Sequence, residues 1–143
     1  MNSTATIFAR LAAVAPSLAT WNGQPAIFSE RAPDSFLDQE PKPSLPFIII
    51  AAATRDEPLE TFSEVGRAVV QDIRGYQADT GSSAELDGLM RAIRDLFHNQ
   101  PQALSVTGGK CELSRVNGPV QSPTSDPSFI GRRITLRLDL IRD

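Results

Sequence analysis

The chain has 143 residues and a formal net charge of -3, from 14 Lys and Arg against 17 Asp and Glu. That length suits one domain, able to bury roughly two-thirds of its unfolded surface without a disulfide or a metal. A single Cys (Cys111) excludes an internal disulfide and a cysteine-rich zinc site, a single His (His98) excludes a two-His metal motif, and the mild acidity gives no support to a general nucleic-acid binder.

In chain order, the first predicted element is an amphipathic helix over about residues 3–15, with Asn2, Ser3 or Thr4 as N-cap. Its apolar face holds Ile7, Phe8, Leu11, Val14 or Ala15, and Leu18. No cation precedes Arg10, which sits inside the Ala-rich stretch, so the segment does not read as a secretory signal. Pro16 ends the helix. Trp21-Asn22-Gly23 signals a turn, and 26–31 (AIFSER) reads as a short strand. Residues 32–46 hold four prolines and read as a long loop or arm.

Phe47 to Thr54 starts β-branched and continuously apolar, as in a strand covered on both faces. A hairpin-like connection over 55–64 leads to a strand over 67–77. There Val69, Gln71 and Ile73 share one face, and Val70, Asp72 and Arg74 the other. Ser82 to Glu85 fits a capping box. Leu86, Leu89, Met90, Ile93, Leu96 and Phe97 then follow at helical spacing, up to Asn99-Gln100-Pro101. Residues 103–116 carry a strand with a kink at Gly108-Gly109, and 117–129 form a second long loop. In the last strand Ile134, Leu136, Leu138 and Leu140 alternate with Arg133, Thr135, Arg137 and Asp139. The order α-β-β-β-α-β-β predicts an α+β domain over 1–143: a mainly antiparallel sheet of about five strands with two helices on one face.

Reactive groups are scarce. His98 at a helix end is suited to the dipole and free carbonyls there. Cys111 has no base near it in sequence, and Thr107-Gly108-Gly109-Lys110 lacks the spacing of a phosphate loop. Asp34, Asp38 and Glu40 lie in a segment where no rigid element sets their spacing. With no positioned nucleophile, base or metal, the expectation is a non-enzymatic chain without cofactors. Charge distribution stands out instead. Residues 55–64 carry Asp56, Glu57, Glu60 and Glu64 against Arg55, net -3; residues 132–143 carry Arg132, Arg133, Arg137 and Arg142 against Asp139 and Asp143, net +2. Twelve of the fourteen cations are Arg, the cation suited to planar interface contacts. The pattern predicts a head-to-tail contact between copies, in which the acidic segment of one meets the basic strand of the next.

Four stretches carry a resemblance: Trp21 to Pro33 (WNGQPAIFSERAP), Pro46 to Ala51 (PFIIIA), Arg67 to Ala78 (RAVVQDIRGYQA) with the helix after it, and the alternating C-terminal strand. In this order they resemble the tail terminator (tail completion) proteins of lambda-like phages with long non-contractile tails. The resemblance implies a hexameric ring on the head-proximal end of the tail tube. Such a ring stops tube polymerisation and joins the head, with the tube protein and the head-tail connector or neck proteins as partners. DNA would be only passing cargo, and no membrane or cofactor would take part. The chain would be a virion component, present in host cytoplasm during assembly; gene transfer agents and defective prophages use the same role. On this reading Arg55, Asp56, Glu57, Glu60, Glu64, Arg132, Arg133 and Arg137 form the ring interface. Asp34, Phe36, Asp38 and Lys42 belong to a partner-contact loop. Two other readings compete: a head-side neck or connector protein, and a small cytoplasmic α+β domain binding a ligand or peptide in an apolar pocket.

Overall fold

The computed structural model describes residues 1–60 and 65–143. Helix α1 (Ser3–Leu11) starts at Asn2, whose side-chain oxygen accepts the Ala5 amide at 3.1 Å. A 3-10 segment, Ala12–Ser17, continues it and takes in Pro16. Of the expected apolar face, Ile7, Leu11, Val14 and Leu18 are buried, whereas Phe8 is 52% exposed. Ile7 and Leu11, four residues apart, define the face turned to the sheet, and Phe8, the residue after Ile7, falls to the side of it.

Strands β1 (Thr20–Trp21) and β2 (Gln24–Pro25) make a small hairpin about Asn22-Gly23, both with positive φ, as a two-residue turn of this type needs. The main sheet has six strands: β3 (Ile27–Ser29), β4 (Phe47–Ile50), β5 (Arg55–Glu60), β6 (Val65–Ala78), β7 (Gly109–Gln121) and β8 (Phe129–Arg142). They run in the order β3-β4-β6-β8-β7, with β5 also on β6. All pairs are antiparallel except β3–β4. The domain is α+β, as the pattern predicts.

Two expected loops are partly strand. Residues 55–60 pair with β6 along their whole length, so this part of the acidic segment is a strand. Strand β7 runs on through Asn117-Gly118-Pro119 to Gln121, taking up the irregular residues as a bulge between Asn117 and Val120. Gly108, at φ +79, makes a turn before β7 rather than a kink inside it.

Helices α1 and α3 (Ala84–Phe97) cover one sheet face. The core there joins Ile7, Leu11, Leu86, Met90, Ile93 and Phe97 to Ile48, Ile50, Val69, Ile73, Ile134, Leu136 and Leu138. The capping box does not form as expected. Ser82 Oγ accepts only from Ala84 N, at 3.3 Å, and the Leu86 amide is taken by Gln77 from β6, at 3.1 Å. A second, aromatic cluster lies at one end of the sheet: Phe36, Phe47 and Phe129, with Trp21, Phe28 and Tyr76 packed against it. The short helix α2 (Asp34–Leu37) in the proline-rich stretch inserts Phe36 into this cluster.

Candidate functional site

The sheet face turned away from α1 and α3 carries charged side chains from four strands. Register puts its side chains in rows across the strands. Arg55 lies beside Val70, then Arg137, then Arg115; Glu57 beside Ala68, Asp139 and Leu113; Asp72 beside Thr135 and Asn117; Ile49 beside Arg74, Arg133 and Val120. Basic and acidic rows therefore alternate along the strands. Two like-charged pairs stand directly opposite, Arg74 with Arg133 and Arg115 with Arg137. Such pairs disfavour the isolated sheet.

Local pairing offsets part of this. Asp72 accepts from Thr135 Oγ1 at 2.8 Å and lies 3.9 Å from Arg74. Arg137 reaches Asp139 at 3.3 Å and Arg55 reaches Glu57 at 2.8 Å. On the opposite, helix-side face, Arg67 binds Asp56 through Nε and a terminal guanidinium nitrogen, holding that carboxyl below its ordinary value. The Arg55 guanidinium does the same to Glu57. Both acids thus spend their charge within the β5–β6 pair. Arg133 stays exposed and has no hydrogen-bond or ion-pair partner among the described residues. The buried Nε of Arg74 has none either.

The sequence-predicted interface residues are therefore not equivalent. Arg132 points to the opposite, helix-covered face, where it holds Asp87 of α3 at 3.0 Å. Arg133, Arg137, Arg55 and Glu57 share the open face. Glu64 and the side chain of Glu60 lie outside the described residues, although the Glu60 backbone pairs with Val65. In the expected partner-contact loop, Asp34 is exposed and lies 3.5 Å from Arg31, and Asp38 is exposed. Phe36 is fully buried and cannot contact a partner; the Trp21, Phe28 and Phe47 rings enclose it. Lys42 is partly buried: its Nζ donates to Leu37 O at 2.7 Å and sits 5.6 Å from the Phe129 ring centroid.

At the aromatic end, the same face opens into a pocket of about 200 Å³ lined by Leu37, Phe47, Ile49, Tyr76, Phe129 and the 123–126 loop. Phe47 stacks on Tyr76 at 5.5 Å and meets Phe129 edge-on at 5.6 Å. Sequence reasoning missed Arg74 and Arg115 on the open face, and Tyr76 and Phe129 in the pocket lining. The alternation of Val70, Asp72, Arg74 and Tyr76 in β6 is the signal that gives two of them.

The remaining singled-out residues are structural. His98 Nδ1 accepts the Val116 amide at 3.1 Å, and Asn99 N donates to Ser114 O at 2.9 Å, so the end of α3 closes part of the outer edge of β7. Burial pushes the Cys111 thiol up to about 11, which keeps it protonated and unreactive at neutral pH. No cluster of three or more His, Cys, Asp or Glu among the described residues is placed to hold a metal, and none of their helices is long and apolar enough to cross a membrane.

No family model matches this chain, and no curated protein matches it. Among solved structures, it is similar to a chain in the virion of a native gene transfer agent (GTA) particle. The TM-score is 0.70 at 12% identity, over 96% of this chain and 92% of that one. The likeness therefore spans nearly the whole fold.

Proposed function

We propose that the chain is a structural component of a phage-like virion, and within it the tail terminator. Copies of it form a ring, hexameric by the sequence resemblance, that caps the head-proximal end of the tail tube and offers the surface for head joining. The observation that carries this is the fold shared end to end with a gene transfer agent virion chain, in agreement with the four stretches resembling tail terminators.

The physical task of such a cap is to bind a polymer end without offering a new one. The sheet edges suit that task. Edge strand β7 carries two register shifts in its pairing with β8, and His98 and Asn99 contact its outer side. The outer edge of β5 carries Pro58, which has no amide hydrogen to give. Contacts between copies then run through side chains on faces and loops, where geometry and not strand addition sets the number of subunits.

Purified tail tubes and purified portal complexes, each incubated with the chain, test this. A terminator binds the tube end and is absent from the portal. A chain that bound only the portal would be a head-side connector instead.

A further inference from the structure

The strand order puts β3 at one edge of the main sheet and β7 at the other. Four strand spacings of about 4.8 Å lie between them, roughly 19 Å in all. The two edges cannot meet within one chain, yet each carries exposed charge that nothing nearby answers, and the signs are opposite.

The β7 edge is cationic. Arg115 on β7 and Arg133 on β8 are exposed on the open face, and neither guanidinium has a hydrogen-bond or ion-pair partner among the described residues. Arg115 stands directly opposite Arg137. The acids of this part of the face lie low: the side chains of Asp72 and Asp139 are 11% and 13% exposed, against 51% for Arg137. Glu112, the exposed acid of β7, lies 3.6 Å from Lys110. A carboxylate arriving from outside therefore meets guanidinium groups first, and it relieves the Arg115–Arg137 repulsion. Val120, half exposed beside Arg133, adds an apolar contact.

The β3 edge is the complement. Glu30 follows β3 directly, and Asp38 ends α2, which Phe36 anchors against Phe28 of that strand. Both carboxylates are exposed and have no hydrogen-bond or ion-pair partner among the described residues. Asp34 and Glu40 add negative charge but already have Arg31 and Lys42 at 3.5 and 3.9 Å. The buried Phe36 ring holds α2 in place, so Asp38 is presented from a fixed mount and little ordering is left for association to impose.

We infer that the β3 edge of one copy docks on the β7 edge of the next, with Glu30 and Asp38 meeting Arg115 and Arg133. Asp56 and Glu57, the acids that charge counting along the chain points to, are already paired with Arg67 and Arg55. Complementary patches on opposite edges make the contact heterologous, and its repetition closes a ring when the rotation allows. It rests on the ring reading above and supplies that ring's repeating contact.

Sedimentation velocity of the whole chain tests it. Wild type is expected to self-associate. Glu30→Arg with Asp38→Arg is expected to weaken association about a hundredfold, and so is Arg115→Glu with Arg133→Glu. Each variant alone sets like charges against each other. Mixed one to one, the two variants offer opposite charges at every contact and are expected to associate again, which separates a lost contact from a misfolded chain. A monomeric wild type, unchanged association in either variant, or a mixture that stays dissociated would overturn the inference. Loss in the Arg115/Arg133 variant alone would assign that edge to a different acidic partner and overturn it equally. Wild-type chain that still caps tail tubes after such a result would leave the terminator reading intact.

Discussion

Gln77 Oε1 accepts the Leu86 amide hydrogen at 3.1 Å, so strand β6 itself caps the helix that packs across it. Gln77 is 4% exposed, and no solvent can replace the bond. Gln77→Ala leaves a buried helix-start amide unpaired and is expected to cost about 1–2 kcal/mol in thermal or urea unfolding. Ser82→Ala, at an exposed hydroxyl 3.3 Å from Ala84 N, is expected to cost about 0.5 kcal/mol or less. Equal losses would mean that the Ser82 capping box matters after all.

Phe36→Ala tests the reassignment of the proline-rich stretch. The ring is fully buried between Trp21, Phe28 and Phe47. Its removal is expected to destabilise by about 3–5 kcal/mol, read as a lower denaturant midpoint. Stability within about 0.5 kcal/mol of wild type, with impaired partner binding, would return Phe36 to the surface role that its sequence context suggests.

Asp87 ties α3 to β8. The Ser83 hydroxyl first, and then Arg132, hold its carboxyl below the ordinary 3.8. A folded-state value lower than the unfolded one adds stability that is complete above the unfolded value and lost as pH falls through the folded one. Asp87→Asn is therefore expected to be less stable by about 0.5 kcal/mol at pH 7, the partly exposed pair being screened by solvent. That gap should close in unfolding curves below about pH 4. A gap that stayed constant down to pH 2 would show that charge is not the cause.

The parts of the fold that could be read from sequence are those where burial repeats with a simple period. Leu86, Leu89, Met90, Ile93 and Phe97 are buried as their spacing requires, and so are Ile134, Leu136, Leu138 and Leu140. The segments 55–60 and 117–121 escaped because Pro, Gly and charge dominate them locally, while the neighbours β6 and β8 supply the pairing. Phe36 escaped for a similar reason: its burial depends on Phe47 and Phe28, which are distant in sequence. The charge asymmetry between 55–64 and 132–143 was legible, but its partition was not. Alternation along β8 sends Arg132 and Arg133 to opposite faces, and the Asp56–Arg67 pair depends on the β5–β6 register, which the local sequence does not show.

Under the proposed function, this chain works by shape, as one copy in a closed ring at the end of a tail tube. Electron microscopy of tails assembled with the labelled chain measures this directly. The account predicts label on the head-proximal tube end alone, with ring-shaped density, and overlong tails when the chain is withheld. Label along the tube, at the distal tip or inside the capsid, with tail length unchanged by its removal, would contradict it.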